Sequence, residues 1–154
     1  MIDIAVKEQL EQYLLEKGVI NKKDGYSFNY CGGGVSGTVA FVYAGDKELI
    51  VKQALTQLKT KDTWLCDPKR MYIEKEANRI YNEIVPENVP EVYFYDEDNY
   101  IFGRAAAPES CTMWKSDLLS GLYDFDVAHK AIDSLSKVHN TCANNAEIER
   151  IFGD

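Results

Sequence analysis

The stretch Cys31 to Val39 reads CGGGVSGTV and places four of the chain's ten glycines within six positions. Gly32, Gly34 and Gly37 satisfy the spacing G-x-G-x-x-G, and Val39 extends it to G-x-G-x-x-G-x-V. Glycine at these positions lets backbone N–H groups approach a phosphate, because no side chain holds the oxygens away. Lys52 follows inside the apolar run ELIVKQAL, and Glu74 and Glu76 follow in DPKRMYIEKEANRIYNEI. A phosphate loop, a cation, and an acid that holds the cation are the parts of a nucleotide-phosphate site.

The elements around the loop decide among three readings. A dinucleotide loop lies between a strand and a helix, whereas TVAFVYAGDKELIVKQAL after this loop is a hairpin. In the second reading the loop joins the first two strands of an antiparallel sheet and covers a nucleotide's phosphates. In the third it is only a mobile hairpin. The loop by itself does not choose between the last two. The series breaks the tie, because loop, Lys52 and a helix glutamate in this order are more specific than any one of them; strand alternation puts Lys52 on one face with Ile50 and Ala54, an odd place for a lysine that wants only water. The bland alternative is a lysine snorkelling from a strand end. Of the two helix acids, Glu76 has Ile80 one turn later and is expected to face the interior. Glu74 has Asn78 there and is expected to face solvent.

The remaining elements follow from periodicity. Val6, Leu10, Tyr13 and Leu14 predict a helix over Asp3 to Lys17, capped by Asp3 and stopped at Gly18. Tyr26 to Cys31, Thr38 to Tyr43 and Glu48 to Leu55 read as strands, the last two joined by a turn at 44–47. Asp67 caps a second helix with Pro68 in its first turn and Ile73, Ala77, Ile80, Tyr81 and Ile84 as its buried face. Glu91 to Tyr95 and Tyr100 to Ala106 are two more strands around an acidic turn. After Pro108 comes a short helical turn ended by Gly121. Asp124 then caps a helix to about Asn140 whose apolar side is Val127, Ile132, Leu135 and Val138. The tail NNAEIERIFGD suggests no clear final element. Five short strands with one inserted helix make an α+β unit with an antiparallel sheet.

Composition narrows the classes. The 154 residues are 45% hydrophobic and 27% charged, as expected of one globular domain. A net charge of −8 argues against nucleic acid as a partner. No apolar run has the length of a membrane span, and the acidic start MIDIAVKEQLEQ lacks a signal peptide's pattern, so a cytoplasmic location is expected. The four cysteines are scattered singly and fit free thiols, and two histidines exclude a His-rich metal site.

Taken in order, GGGVSGTVAFV, LIVKQAL, IEKEANRIYNEIVPENVPEVYFYD, YIFGRAAAP and WKSDLLSG followed by AIDSLSKVH resemble the aminoglycoside phosphotransferase, choline kinase and methylthioribose kinase group. These are small-molecule kinases of protein-kinase-like fold. The resemblance covers most of Tyr26 to His139 and implies a nucleotide-binding N-terminal lobe over 1–107. It implies a linker and the first helix or helices of a helical second lobe over 108–154. Gly32, Gly33, Gly34, Ser36 and Gly37 would form the phosphate-covering loop. Lys52 would hold the α- and β-phosphates of ATP, Glu76 would orient Lys52, and the backbone of Ala105, Ala106 and Ala107 would meet adenine. The Val89-Pro90 pair after the helix supports Glu76 over Glu74 in this register. Gly103-Arg104 departs from the group's pattern just before the hinge, and an outward-pointing arginine would reconcile it.

The group's catalytic loop, His-Gly-Asp with a later Asn, and its magnesium-binding Asp have no match here. His139 is followed by Asn140-Thr141-Cys142 and reads as a helix histidine packed at the lobe boundary. No catalytic or metal residue is therefore expected in this chain, and the chain alone is expected to be inactive. Magnesium and the small-molecule acceptor, whether an aminoglycoside, a sugar or an amino alcohol, would be held mainly by the absent lobe. Two functions remain: the ATP-binding part of a phosphotransferase that acts on a hydroxyl, or an inactive kinase-lobe binding module. Self-association through the exposed lobe interface goes with the second.

Overall fold

The computed structural model describes residues 2–23, 25–32 and 34–153. Five strands form one antiparallel sheet: β1 (Tyr26–Tyr30), β2 (Gly37–Ala44), β3 (Lys47–Ala54), β4 (Val92–Asp96) and β5 (Ile101–Ala105), in the order β1-β2-β3-β5-β4. The crossing from β3 to β4 carries α2 (Arg70–Ile84), while β5 returns to pair with β3. This is the α+β architecture expected from the sequence, with the helix inserted where expected.

Each face of the sheet has its own cover. Alternate residues Ala40, Val42, Leu49, Val51 and Ile101 pack on α1 (Lys7–Glu16) through Leu10, Tyr13 and Leu14. On the other face Ala54 and Phe102 pack on Met71 of α2. Directly opposed residues of an antiparallel pair share a face. Val39 and Phe102 both oppose Lys52, and Phe41 and Arg104 both oppose Ile50. The second face therefore carries Val39, Phe41, Ile50, Lys52 and Arg104, all half-buried. Arg104 does not turn to the α1 side; it stands on the same face as Lys52.

Several local expectations change. Asp3 does not cap α1; its carboxylate accepts from the Ala5 N–H in a turn, and the helix starts at Lys7. Asp67 caps a preceding turn through the Lys69 N–H, and α2 proper begins at Arg70. The buried side of α2 is Met71, Glu76 and Ile80, and Ile73 and Tyr81 are exposed, because only part of the helix lies over the sheet. The tail forms a helix, α5 (Ala146–Phe152), whose start is capped by Asn145 accepting from the Glu147 and Ile148 N–H groups. Between them, α3 (Trp114–Leu119) and α4 (Phe125–Cys142) follow the hinge, with Asp124 capping α4 as its sequence predicts.

Gly103 shows how tightly the sheet centre is fitted. A Cβ there would lie 2.2 Å from Cε1 of the Phe94 ring, which itself packs on Tyr13 with ring centroids 6.3 Å apart. Gly103→Ala is expected to lower unfolding stability by about 1–3 kcal/mol through overpacking, as measured by urea denaturation.

Candidate nucleotide-phosphate site

The glycine-rich loop joins β1 to β2, the hairpin geometry that the sequence implies. Gly33 lies outside the described residues. A Cβ at Gly32 would meet nothing within 4 Å, and one at Gly34 would meet only the Gly37 carbonyl at 3.7 Å. The packing of the chain therefore does not require glycine at either position. Among the described residues, the N–H groups of Gly32, Gly34 and Ser36 donate to no partner. Amides on an exposed loop with no partner among the described residues are what an anion can use.

Gly37 differs from these. A Cβ there would stand 2.9 Å from the Gln53 carbonyl oxygen and 3.4 Å from Cε of Lys52. Glycine at this position lets the Lys52 side chain run directly beneath the end of the loop. Two residues that the sequence singles out, Gly37 and Lys52, are brought together in this way.

Lys52 is held by Glu74, not by Glu76. Its Nζ donates at 2.6 Å to both carboxylate oxygens of Glu74. Residues two apart on a helix differ by about 200° around its axis, so only one of the two acids can reach β3. Glu76 is buried, as expected, but it points elsewhere. Its carboxylate accepts from Lys75 and, at 2.9 Å, from Nε of Arg79. Arg79 also bonds Glu83 at 2.7 Å and Glu147 of α5 at 3.0 Å. Glu76 thus belongs to a network that ties α2 to α5. Glu74 stands on the half-exposed flank of α2, its side chain 38% exposed, whereas the resemblance pairs Lys52 with Glu76.

At the hinge, the Ala105 N–H donates to the Glu91 carbonyl at 2.8 Å and the Ala106 N–H to the Glu48 carbonyl at 3.1 Å. Both donors are spent on the fold. Among the described residues the Ala107 N–H has no acceptor. His139 lies in α4 but is exposed, not packed. A groove of about 740 Å³ lies not over the loop but beside the start of α2 and the β4–β5 turn, with Tyr72, Tyr95 and Tyr100 in its wall.

No family model matches the chain. Over 88 residues it is 38% identical to the methylthioribose kinase of Bacillus thuringiensis (strain Al Hakam). The same identity over the same length is found with methylthioribose kinases of Bacillus cereus (strain AH187) and Bacillus anthracis (strain CDC 684 / NRRL 3495). The chain is related to kinase-like phosphotransferases. The matched stretch is 56% of this chain and 22% of the length of each of these relatives.

Burial pushes the Glu76 carboxyl up, but hydrogen bonds from Lys75 and Arg79 outweigh it and hold it below its ordinary value. A carboxyl depressed in the folded state stabilises the fold above its unfolded pKa of roughly 4.3 and loses that contribution as pH falls through the folded value. Glu76→Gln is therefore expected to cost about 1–3 kcal/mol at pH 7. The gap to the native chain should close as pH drops below roughly 4, as read from urea midpoints across pH.

Proposed function

We propose that this chain is the ATP-binding lobe of a kinase-like phosphotransferase whose acceptor is a hydroxyl of a small molecule. The observation that carries the reading is the bidentate Lys52–Glu74 pair beneath Gly37, at the end of a glycine-rich loop. A lysine so placed offers a fixed positive charge to the α- and β-phosphates, while Glu74 keeps it from folding away. The loop amides of Gly32, Gly34 and Ser36 supply further donors. The half-buried Val39 and Ile50 present an apolar floor for a purine, and the free Ala107 N–H stands at the hinge. Of the three acceptor classes, the similarity to methylthioribose kinases favours a sugar hydroxyl over an amino alcohol or an aminoglycoside.

Among the described residues no group of three His, Cys, Asp or Glu side chains is placed to hold a metal ion. Metal ligands and the residue that positions the acceptor would come from beyond this stretch, in keeping with the small share of the relatives that it matches. Among the described residues no helix is long and apolar enough to cross a membrane.

A second reading, a binding module without catalysis, draws on the surface after the hinge. Leu119, Leu122, Tyr123, Phe125, Ile132 and Leu135 are each more than half exposed. A surface this apolar calls for a cover, which in this reading is a second copy of the chain and in the first is a helical lobe. Light scattering that shows a monomer at high protein concentration would count against the module.

The test of the main reading is Mg-ATP affinity of the 154-residue chain by calorimetry. Weak binding is expected, lost in Lys52→Ala and reduced about tenfold in Glu74→Gln, the loss of one charge-assisted hydrogen-bond pair. Glu76→Gln is expected to bind as the native chain does. No binding by the native chain, or equal binding by Lys52→Ala, would contradict the reading.

A further inference from the structure

Arg70 is the first residue of α2, a position where positive charge is unfavourable because the helix N-terminus is itself positive. Lys69 precedes it, and the first turn holds no acid to compensate. Among the described residues its guanidinium has no carboxylate partner either. It donates instead to four backbone carbonyls: Ser36, Leu55 at 2.9 Å, Asp67 at 2.9 Å and Cys66 at 3.4 Å. These carbonyls belong to three separate segments. Ser36 closes the glycine-rich loop, Leu55 follows the end of β3, and Cys66 and Asp67 lead into α2.

Backbone bonds support the same junction. The Leu55 N–H donates to the Ser36 carbonyl at 3.2 Å, and the Lys59 N–H donates to the Val35 carbonyl at 2.8 Å. The second half of the loop is therefore docked along the segment that follows β3. Arg70 also lies one helical turn before Glu74, on the same side of α2. One end of one helix thus holds both the loop, through Arg70, and the lysine, through Glu74.

Resting on the nucleotide reading above, we infer that Arg70 is a positioning residue that locks the glycine-rich loop to α2, so that the loop amides and Lys52 meet the phosphates as one preformed unit. Arginine suits the task and lysine does not. A planar fork with five donors can span carbonyls from three segments, whereas an ammonium has three donors on a flexible stem. The unneutralised charge also stands beside the loop, in a chain whose net charge of −8 would otherwise repel a nucleotide.

The test uses Arg70→Gln and Arg70→Lys in the full chain with two measurements: Mg-ATP affinity, and amide hydrogen exchange of the free protein by NMR. Both variants are expected to bind Mg-ATP about tenfold more weakly, the scale of one hydrogen bond to a charged group. Exchange at Leu55 and Lys59 should quicken by about tenfold on the same scale, while the core amides Val42 and Val51 keep their protection. Native-like affinity in Arg70→Gln, with binding lost in Lys52→Ala, would overturn the inference and leave the nucleotide reading standing. Full rescue of affinity and protection by Arg70→Lys would overturn the fork in favour of charge alone. Loss of protection at Val42 and Val51 as well would make Arg70 a general stabiliser and overturn it too. A native chain that does not bind Mg-ATP would remove the nucleotide reading and this inference with it.

Discussion

A lysine in the middle of a sheet face needs a counter-charge, and much of this structure follows from how Lys52 receives one. Its neighbours on that face are Val39, Phe41, Ile50 and Ala54, none of which can hold an ammonium. The acid must come from outside the sheet, which sets where α2 lies and which way it is turned. With Glu74 on Lys52, Met71 falls on Ala54 and Phe102, and Glu76 falls among Lys75 and Arg79. The pair is only partly buried, with Lys52 26% and Glu74 38% exposed, so solvent screens it and its contribution to stability is modest.

Two acids on one helix divide two tasks. Glu74 faces the open side and holds the Lys52 ammonium. Glu76 faces inward and anchors Arg79, which reaches Glu83 and Glu147 and so joins α2 to the helix at the end of the chain. Sheet packing through Met71 orients α2 over the face that carries Lys52, and the arginine network ties the far side of the helix to α5.

Much of this was legible in the sequence, and the misses have physical causes. The strands could be read because alternation on a two-faced sheet leaves clear signals, and the turn at 44–47 and the cap at Asp124 are local chemistry. The face shared by Lys52, Ile50 and Ala54 could be read for the same reason. The choice between Glu74 and Glu76 could not, because the stripe that marks burial does not say which buried or half-buried acid meets a given partner. Arg70 left no signal of its own, since its acceptors are backbone carbonyls that every residue carries. The capped helix α5 carries Asn145 as a cap, but its seven residues, four apolar and three charged, are too few to show a period.

The account stands or falls on where a nucleotide sits. The most direct measurement is a titration of the 15N-labelled chain with Mg-ATP, followed residue by residue in the amide spectrum. The account predicts shifts at Gly32, Gly34, Ser36, Lys52 and Ala107, with little change at Tyr72, Tyr95 and Tyr100 around the groove beside the start of α2. Shifts confined to that groove, or none at millimolar nucleotide, would contradict it.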